Sequence, residues 1–205
     1  MDKINNQRGI TLVELLVALS IFLIILGGVT QVFITNLKSQ RIILAEQLLL
    51  DQANYTVEYM SRALRMAKKE LNCTNPADWK TCNPTLNPPY CLMSFGNNYE
   101  ITQEGEGIKF INPMRGYACQ EFYLDGGMLY EEIIKSPPFD TPIAPMPLFS
   151  EGIQVNSLWF EVSGNSQDDN LQPKVTINME LEIPAENFKI NIQNTISQRD
   201  LDVEY

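Results

Sequence analysis

Histidine is entirely absent from the 205-residue chain, which removes the side chain that most often serves as a general base or binds zinc. The sequence also contains no glycine-rich phosphate loop, no G-x-S-x-G motif and no C-x-x-C pair. Basic residues are scarce, because 15 lysines and arginines stand against 25 aspartates and glutamates, giving a formal net charge of −10. Nucleic-acid binding needs a basic surface. These absences argue against hydrolytic chemistry and against direct binding of nucleic acid.

One long stretch, Leu15–Leu37, carries no charge over 23 residues. As a helix it would extend about 34 Å, enough to cross the apolar core of a bilayer. Lys3 and Arg8 precede it, and only Asp2 opposes them. The positive-inside rule therefore predicts a cytoplasmic N-terminus, with the bulk of the chain outside the membrane. The other residues, in a chain that is 44% hydrophobic, suffice for one packed domain of ordinary size.

We expect the apolar span to be retained rather than removed as a secretory signal peptide. Signal-peptide cleavage follows small residues in an A-x-A-like pattern, and the best position, after Gly28, has Leu26 at the wrong place. A plain single-pass anchor would account for the apolar run and its flanking charges. It would not account for the carboxylate of Glu14 at the start of the run, or for the helical pattern that follows.

An apolar stripe with helical spacing follows the span and predicts an amphipathic helix. No proline occurs before Pro76, so the span and this helix are expected to be continuous. The stripe consists of Ala45, Leu49, Ala53, Val57, Met60, Leu64, Ala67 and Leu71.

The remainder of the chain predicts antiparallel strands. Residues 72–89 form a proline-containing loop, and Ile108–Asn112 alternates as a strand does. Cys119–Ile133 predicts a hairpin that turns at Asp125-Gly126-Gly127. Ser136–Pro147 is proline-rich and is expected to be a loop, and three strands follow it, VNSLWFEV, KVTINMELEI and FKINIQNTIS. The predicted fold class is α+β, with the amphipathic helix covering one face of an antiparallel sheet.

Four cysteines, Cys73, Cys82, Cys91 and Cys119, all lie outside the membrane in this topology. An even number of cysteines in an exported domain favours disulfides over a metal site. Four cysteines permit three pairings. We favour closure of neighbours, Cys73 with Cys82 and Cys91 with Cys119, and the other two pairings remain open.

The stretch RGITLVELLVALSIFLIILGG resembles the N-terminus of type IV prepilins and type II secretion pseudopilins. That family has a short basic leader ending in glycine, here Gly9, and then an apolar helix with glutamate at its fifth position, here Glu14. The first mature residue would be Ile10, where the family most often has phenylalanine. The proportions of the chain and its ending, FKINIQNTISQRD, are similar to those of the larger minor pilins, the J-type pseudopilins and PilW-like proteins.

The resemblance implies a pilin-like fold and a path of maturation. Prepilin peptidase would remove residues 1–9, and Ile10 would be N-methylated. Residues 10–37 would form the transmembrane and filament-core half of the helix, residues 38–71 its amphipathic half, and residues 72–205 an extracytoplasmic β-rich domain. An inner-membrane assembly platform would then move the subunit from the cytoplasmic membrane into a periplasmic or extracellular filament of pilin or pseudopilin subunits. In that filament, Glu14 would meet the new amine of a neighbour's Ile10.

The sequence leaves three classes of function to distinguish. The first is a non-catalytic filament subunit, more typical of a minor than a major pilin because its bulky, loop-rich domain would crowd a filament shaft. The second is a membrane-tethered extracytoplasmic binding or sensor domain, which would keep its first nine residues. The third, an anchored enzyme, lacks a recognised nucleophile motif. Because some members of the family that the chain resembles bind calcium, Asp125, Asp168 and Asp169 are candidate ligands, but acids in loops are usually solvated, so we predict no metal or cofactor site. Motility, DNA-uptake and secretion machines remain open.

Overall fold

The computed structural model describes residues 9–70, 91, 93, 96–134, 143–165 and 171–199. The chain divides into two compact units, Met1–Leu44 and Ala45–Tyr205. Residues 1–8, Cys73 and Cys82 lie outside the described residues. The fold class is confirmed: a long, apolar N-terminal helix is followed by antiparallel β-structure.

A single helix, α1, runs from Leu12 to Arg65 and contributes to both units. Neither proline nor a cluster of turn residues interrupts this stretch of sequence. In the first unit its apolar side chains are exposed. In the second unit Leu49, Ala53, Met60 and Leu64 are buried, as the predicted stripe requires.

The helix ends earlier than the apolar stripe predicts. Its last residue is Arg65, whereas we expected Leu71, which lies outside the described residues. Ala67 is buried although it is not helical. Lys68 instead forms an isolated antiparallel bridge with Ile111. After Arg65 the backbone therefore pairs with a strand instead of continuing as a helix. The helical spacing of apolar residues does not by itself determine where a helix ends.

Two groups of strands follow α1. The five strands of the first sheet pair in chain order and all antiparallel: β1 (Glu100–Thr102), β2 (Gly107–Asn112), β3 (Ala118–Asp125), β4 (Met128–Ile134) and β5 (Ile143–Pro147). The second sheet is an antiparallel meander of β6 (Gln154–Ser163), β7 (Lys174–Ile183) and β8 (Phe188–Ser197). Short 3-10 turns occupy Gln103–Gly105, Pro113–Arg115 and Pro184–Glu186. The sequence predicted one sheet, so the division into two sheets is a correction.

The hairpin between β3 and β4 turns where the sequence predicted. Asp125 pairs with Met128, which leaves Gly126 and Gly127 as the two turn residues. Their φ angles are 55° and 79°. Positive φ at both central positions is the property of a type I′ turn, which matches the twist of the flanking strands.

Strand β5 contradicts the prediction that Ser136–Pro147 forms only a loop. Its Ile143 and Met146 pair with Ile133 and Glu131 of β4. β5 lies at the edge of its sheet and is exposed along its length. Proline is tolerated in an edge strand because its missing N–H can face away from the ladder.

The described core of the second unit includes side chains from α1 and from both sheets. Strand β7 illustrates how a strand contributes to this core, because every second side chain is buried and those between are exposed or partly exposed. Val175, Ile177, Met179, Leu181 and Ile183 point into the core, as the two-residue period of a strand requires.

The C-terminal end of α1 accepts hydrogen bonds from residues that are distant in sequence. Tyr99 donates its hydroxyl hydrogen to the carbonyl oxygen of Leu64 at 2.7 Å. The backbone N–H of Arg199 donates to the carbonyl of Arg65 at 2.9 Å. The last carbonyls of a helix have no partner within the helix. These contacts therefore hold the end of the helix against the residues that flank β1 and β8.

Candidate functional site

The peptide bond between Gly9 and Ile10 lies just outside the helix. Both residues are non-helical and exposed, and Ile10 is 74% exposed. The bond is thus accessible in a segment that has no helical hydrogen bonds to break before it enters a peptidase cleft.

Nothing in the described part of the fold requires glycine at position 9. A Cβ atom built on Gly9 meets no heavy atom of the described residues within 4 Å, and its φ is not in the left-handed region. Glycine is usually needed for a positive φ or for close backbone approach. At position 9, a requirement for glycine would therefore come from a molecule that binds this segment.

Thr11 starts the helix and places Glu14 in its first turn. The backbone N–H of Glu14 donates to Oγ1 of Thr11 at 3.3 Å, and that of Leu15 donates to the Thr11 carbonyl at 3.2 Å. A threonine cap followed three residues later by glutamate is the pattern of a capping box. We did not identify Thr11 from the sequence, although the T-x-x-E spacing marks it.

The carboxylate of Glu14 is exposed and makes no hydrogen bond or ion pair with any residue described in the structure. A negative charge is favourable in the first turn of a helix, because the N-terminal end of the helix dipole is positive. The helix therefore accounts for a tolerated carboxylate at this position. It also leaves both oxygens available to a cation from outside the chain.

The apolar part of α1 is long and apolar enough to cross a membrane, by length and composition. All of its side chains from Leu15 to Leu37 are exposed. This exposure is unlike that of a core helix, whose apolar face is covered by protein.

Hydroxyl groups within this stretch are satisfied by the helix itself. Ser20 donates to the carbonyl of Leu16 at 2.8 Å, and Thr30 donates to that of Leu26 at 2.7 Å. Such bonds let serine and threonine enter an apolar environment without an unpaired donor. The side-chain amide of Gln31, in contrast, has no hydrogen-bond partner within residues 9–70 or elsewhere in the described chain.

Cys91 and Cys119 form a disulfide, with their Cα atoms 5.0 Å apart. This is one of the two pairs that we favoured, and the other pair lies outside the described residues. Both cysteines are buried beside Met93 and Ile111 in a small second core. The bridge ties the segment before β1 to strand β3.

The acids considered as calcium ligands are not brought together by any described contact. Asp125 is exposed at the end of β3, and Asp168 and Asp169 lie outside the described residues. Across the described ranges, no group of three or more histidine, cysteine, aspartate or glutamate side chains is placed to hold a metal ion.

Residues 4–30 match the family model described as the prokaryotic N-terminal methylation motif. The match includes Gly9, Ile10, Thr11, Glu14 and the apolar start of α1. It supports a type IV pilin-like protein that is a substrate of prepilin peptidase, has a structural role and is anchored in a membrane. No curated protein and no solved structure matches the chain.

Proposed function

We propose that this protein is a minor pilin or pseudopilin. It is a non-catalytic subunit that prepilin peptidase matures between Gly9 and Ile10. An inner-membrane assembly platform then moves it from the cytoplasmic membrane into a type IV pilus or type II secretion-like filament. The observation that carries the proposal is the exposed, non-helical Gly9–Ile10 bond, two residues before a capped apolar helix whose first turn holds Glu14.

Cleavage after Gly9 creates a positive amine on Ile10, which N-methylation leaves positively charged. The free carboxylate of Glu14 pairs with this amine on a neighbouring subunit. At about 4 Å and an effective dielectric constant near 20, the attraction is roughly 4 kcal/mol before desolvation is subtracted. Because the pair forms only between subunits, it favours the filament over the isolated span and sets the axial position of the new subunit.

The free amide of Gln31 supports a helix bundle as the final environment of α1. An amide with no partner is unfavourable in hydrocarbon, whereas a neighbouring helix can supply a hydrogen bond. In the filament, Gln31 donates to or accepts from a polar group on an adjacent helix.

The second unit supports a minor subunit, with a place at the tip. It carries two sheets on one helix, together with a segment of 34 residues between α1 and β1 and one of eight residues between β4 and β5. Such bulk is easier to accommodate at the end of a filament than along a tightly packed shaft, where each subunit contacts neighbours on every side.

The mature N-terminus decides the proposal. We expect intact-mass analysis of the native protein, purified from membranes, to show a chain that begins at a methylated Ile10. Gly9→Val should accumulate uncleaved protein, and Gly27→Val, at another glycine with nothing within 4 Å of its Cβ position, should be processed normally. A native chain that still begins at Met1 would rule out the pilin role.

The alternative is a membrane-tethered extracytoplasmic binding or sensor domain. Its support is the same apolar, exposed helix, which an anchor needs as much as a filament subunit does. An anchor needs neither Gly9 nor Glu14. Full retention of residues 1–9, with correct membrane insertion, would favour this alternative.

A further inference from the structure

Trp159 is an exposed aromatic residue on the polar face of the three-stranded sheet. Trp159 is 52% exposed, whereas its neighbours Leu158 and Phe160 are buried in the core. Trp159 pairs with Asn178 on β7, and Asn178 pairs with Gln193 on β8. Strands lie about 4.8 Å apart, so this row of three residues spans about 10 Å across the sheet.

The indole ring is held in place from one side by backbone. A Cβ built on Gly105 would overlap the six-membered part of the Trp159 ring, and Gly105 has a φ of +117°. Only glycine combines this φ with such a close approach. The ring therefore packs against this backbone before any ligand binds, and the contact limits the side-chain freedom that binding would have to restrict.

Four neutral polar side chains next to Trp159 are free, whereas other polar side chains of the same face bond one another. Thr176 bonds Thr195 at 3.1 Å, and Asn156 bonds both Glu180 and Glu182. The side chains around Trp159 make no hydrogen bond with any described part of the chain: Ser157, Asn178, Asn191 and Gln193. These four and Trp159 line a concavity of about 370 Å³ together with Glu180, which pairs with Ser157 and Asn191 across the sheet and forms an ion pair with Lys189 at 3.5 Å.

We propose that this surface, Trp159 with Ser157, Asn178, Asn191 and Gln193, binds a neutral saccharide chain. The C–H groups on the flat face of a sugar ring carry partial positive charge and stack on the negative face of an indole. The next ring lies over Asn178 and Gln193, whose amides both donate to and accept from sugar hydroxyls. The indole ring matches the C–H face of a sugar ring, and the neutral amides match its hydroxyl groups.

Charge argues against anionic polymers at this surface, and the unpaired amides argue against a cationic peptide. Glu104 and Glu106 line a second concavity that also includes Trp159, and neither makes an ion pair within the described ranges. They repel phosphate and sulfate polymers. They would attract a cationic peptide, but a pair of exposed charges contributes only about 0–1 kcal/mol. The unpaired amides favour the saccharide, because binding of a cationic peptide does not require them.

The test uses the full-length protein in a detergent without a sugar headgroup, such as lauryldimethylamine oxide. Trp79→Phe makes Trp159 the only tryptophan, so its fluorescence reports the proposed surface directly. Cellohexaose and chitohexaose serve as neutral probes with flat rings, and hexalysine serves as the cationic probe. We expect at least one of the two oligosaccharides to shift Trp159 emission with saturation at or below about 10 mM.

Variants separate the proposed contacts from general effects. In calorimetric titrations, Trp159→Ala should weaken oligosaccharide binding by at least about tenfold, and Gln193→Ala by about threefold or more. Thr195→Ala, a polar change on the same strand and face, should stay within about twofold of the parent, as should Glu104→Gln with Glu106→Gln.

Three results would overturn the proposal. The first is no saturable response to either oligosaccharide. The second is binding that survives Trp159→Ala. The third is a response to hexalysine alone that disappears in the Glu104→Gln, Glu106→Gln variant, which would assign the surface to a cationic peptide. None of these results depends on cleavage at Gly9 or on filament assembly.

Discussion

The hydroxyl of Tyr59 donates a hydrogen bond to the carboxylate of Glu131 at 2.6 Å and so joins helix α1 to strand β4. Glu131 is buried, and its Oε1 atom also accepts a hydrogen bond from the side-chain amide of Gln120 at 2.5 Å. A guanidinium nitrogen of Arg115 lies 3.9 Å from the same oxygen. A buried carboxylate is tolerated only when its charge is paired and hydrogen-bonded, and these side chains meet that need.

Tyr59→Phe should lower the free energy of unfolding by about 1–3 kcal/mol, because it removes one donor from a buried carboxylate. Tyr55→Phe is the matched control, one turn away on α1 and 72% exposed. It should change stability by less than about 0.5 kcal/mol. Denaturant unfolding of the full-length protein in detergent, followed by circular dichroism, gives both values. Equal effects of the two substitutions would contradict a structural role for the Tyr59–Glu131 bond.

Alkaline pH should weaken the same contact. Burial, and then the hydrogen bond to Glu131, raise the pKa of Tyr59 from 10.0 to about 12. The folded state favours the neutral phenol, so this contribution is fully present below pH 10 and is lost as the pH rises from 10 toward 12. The difference in unfolding free energy between wild type and Tyr59→Phe should therefore shrink over this range. A constant difference would show that Tyr59 ionises equally in the folded and unfolded chains.

Leu49 and Leu48 are adjacent on α1 but differ in burial, at 0% and 50% exposed. Leu49→Ala removes methyl groups from the core and leaves a cavity, so it should cost about 2–5 kcal/mol. Leu48→Ala should cost less than about 1 kcal/mol, because its side chain is half exposed. Guanidinium unfolding monitored by near-ultraviolet circular dichroism compares them. Similar costs would mean that the amphipathic part of α1 does not cover the sheets.

The Cys91–Cys119 disulfide closes a loop with a sequence separation of 28. Loss of such a bridge should cost about 2–4 kcal/mol. Cys91→Ala, Cys119→Ala and the double variant should be similarly destabilised, because either single change already removes the cross-link. Thermal unfolding of the three variants tests this. Single effects that simply add would indicate two packed thiols rather than a bridge.

Glu14 is predicted to act between subunits. A substitution of Thr11 distinguishes this role from a role in capping the helix. Glu14→Ala should leave membrane insertion and cleavage intact but reduce the amount of this subunit in sheared filaments relative to membranes. Thr11→Ala removes the cap and should cost about 1 kcal/mol of local helix stability, with nearly normal incorporation. If both variants enter filaments equally poorly, capping explains the position of Glu14. Normal incorporation of Glu14→Ala would remove Glu14 from the assembly contact.

The features near the N-terminus could be predicted because they depend on residues close together in sequence. The uncharged run after Arg8, glycine at position 9 and glutamate in the first helical turn are visible without a fold. The β3–β4 hairpin is likewise local, since two glycines with positive φ determine its turn. Even Thr11, which we missed, is marked by a local spacing.

Contacts between residues distant in sequence determined the features that the sequence did not predict. Periodicity predicted helix to Leu71, but Tyr99 and Arg199 bind the last carbonyls and α1 ends at Arg65. Prolines predicted a loop at β5, but the free edge of β4 accepts it as a strand. Gly105 and Trp159 meet only in the folded chain. Sequence patterns report the conformations that neighbouring residues prefer, whereas these contacts depend on which distant groups need a partner once the core has formed.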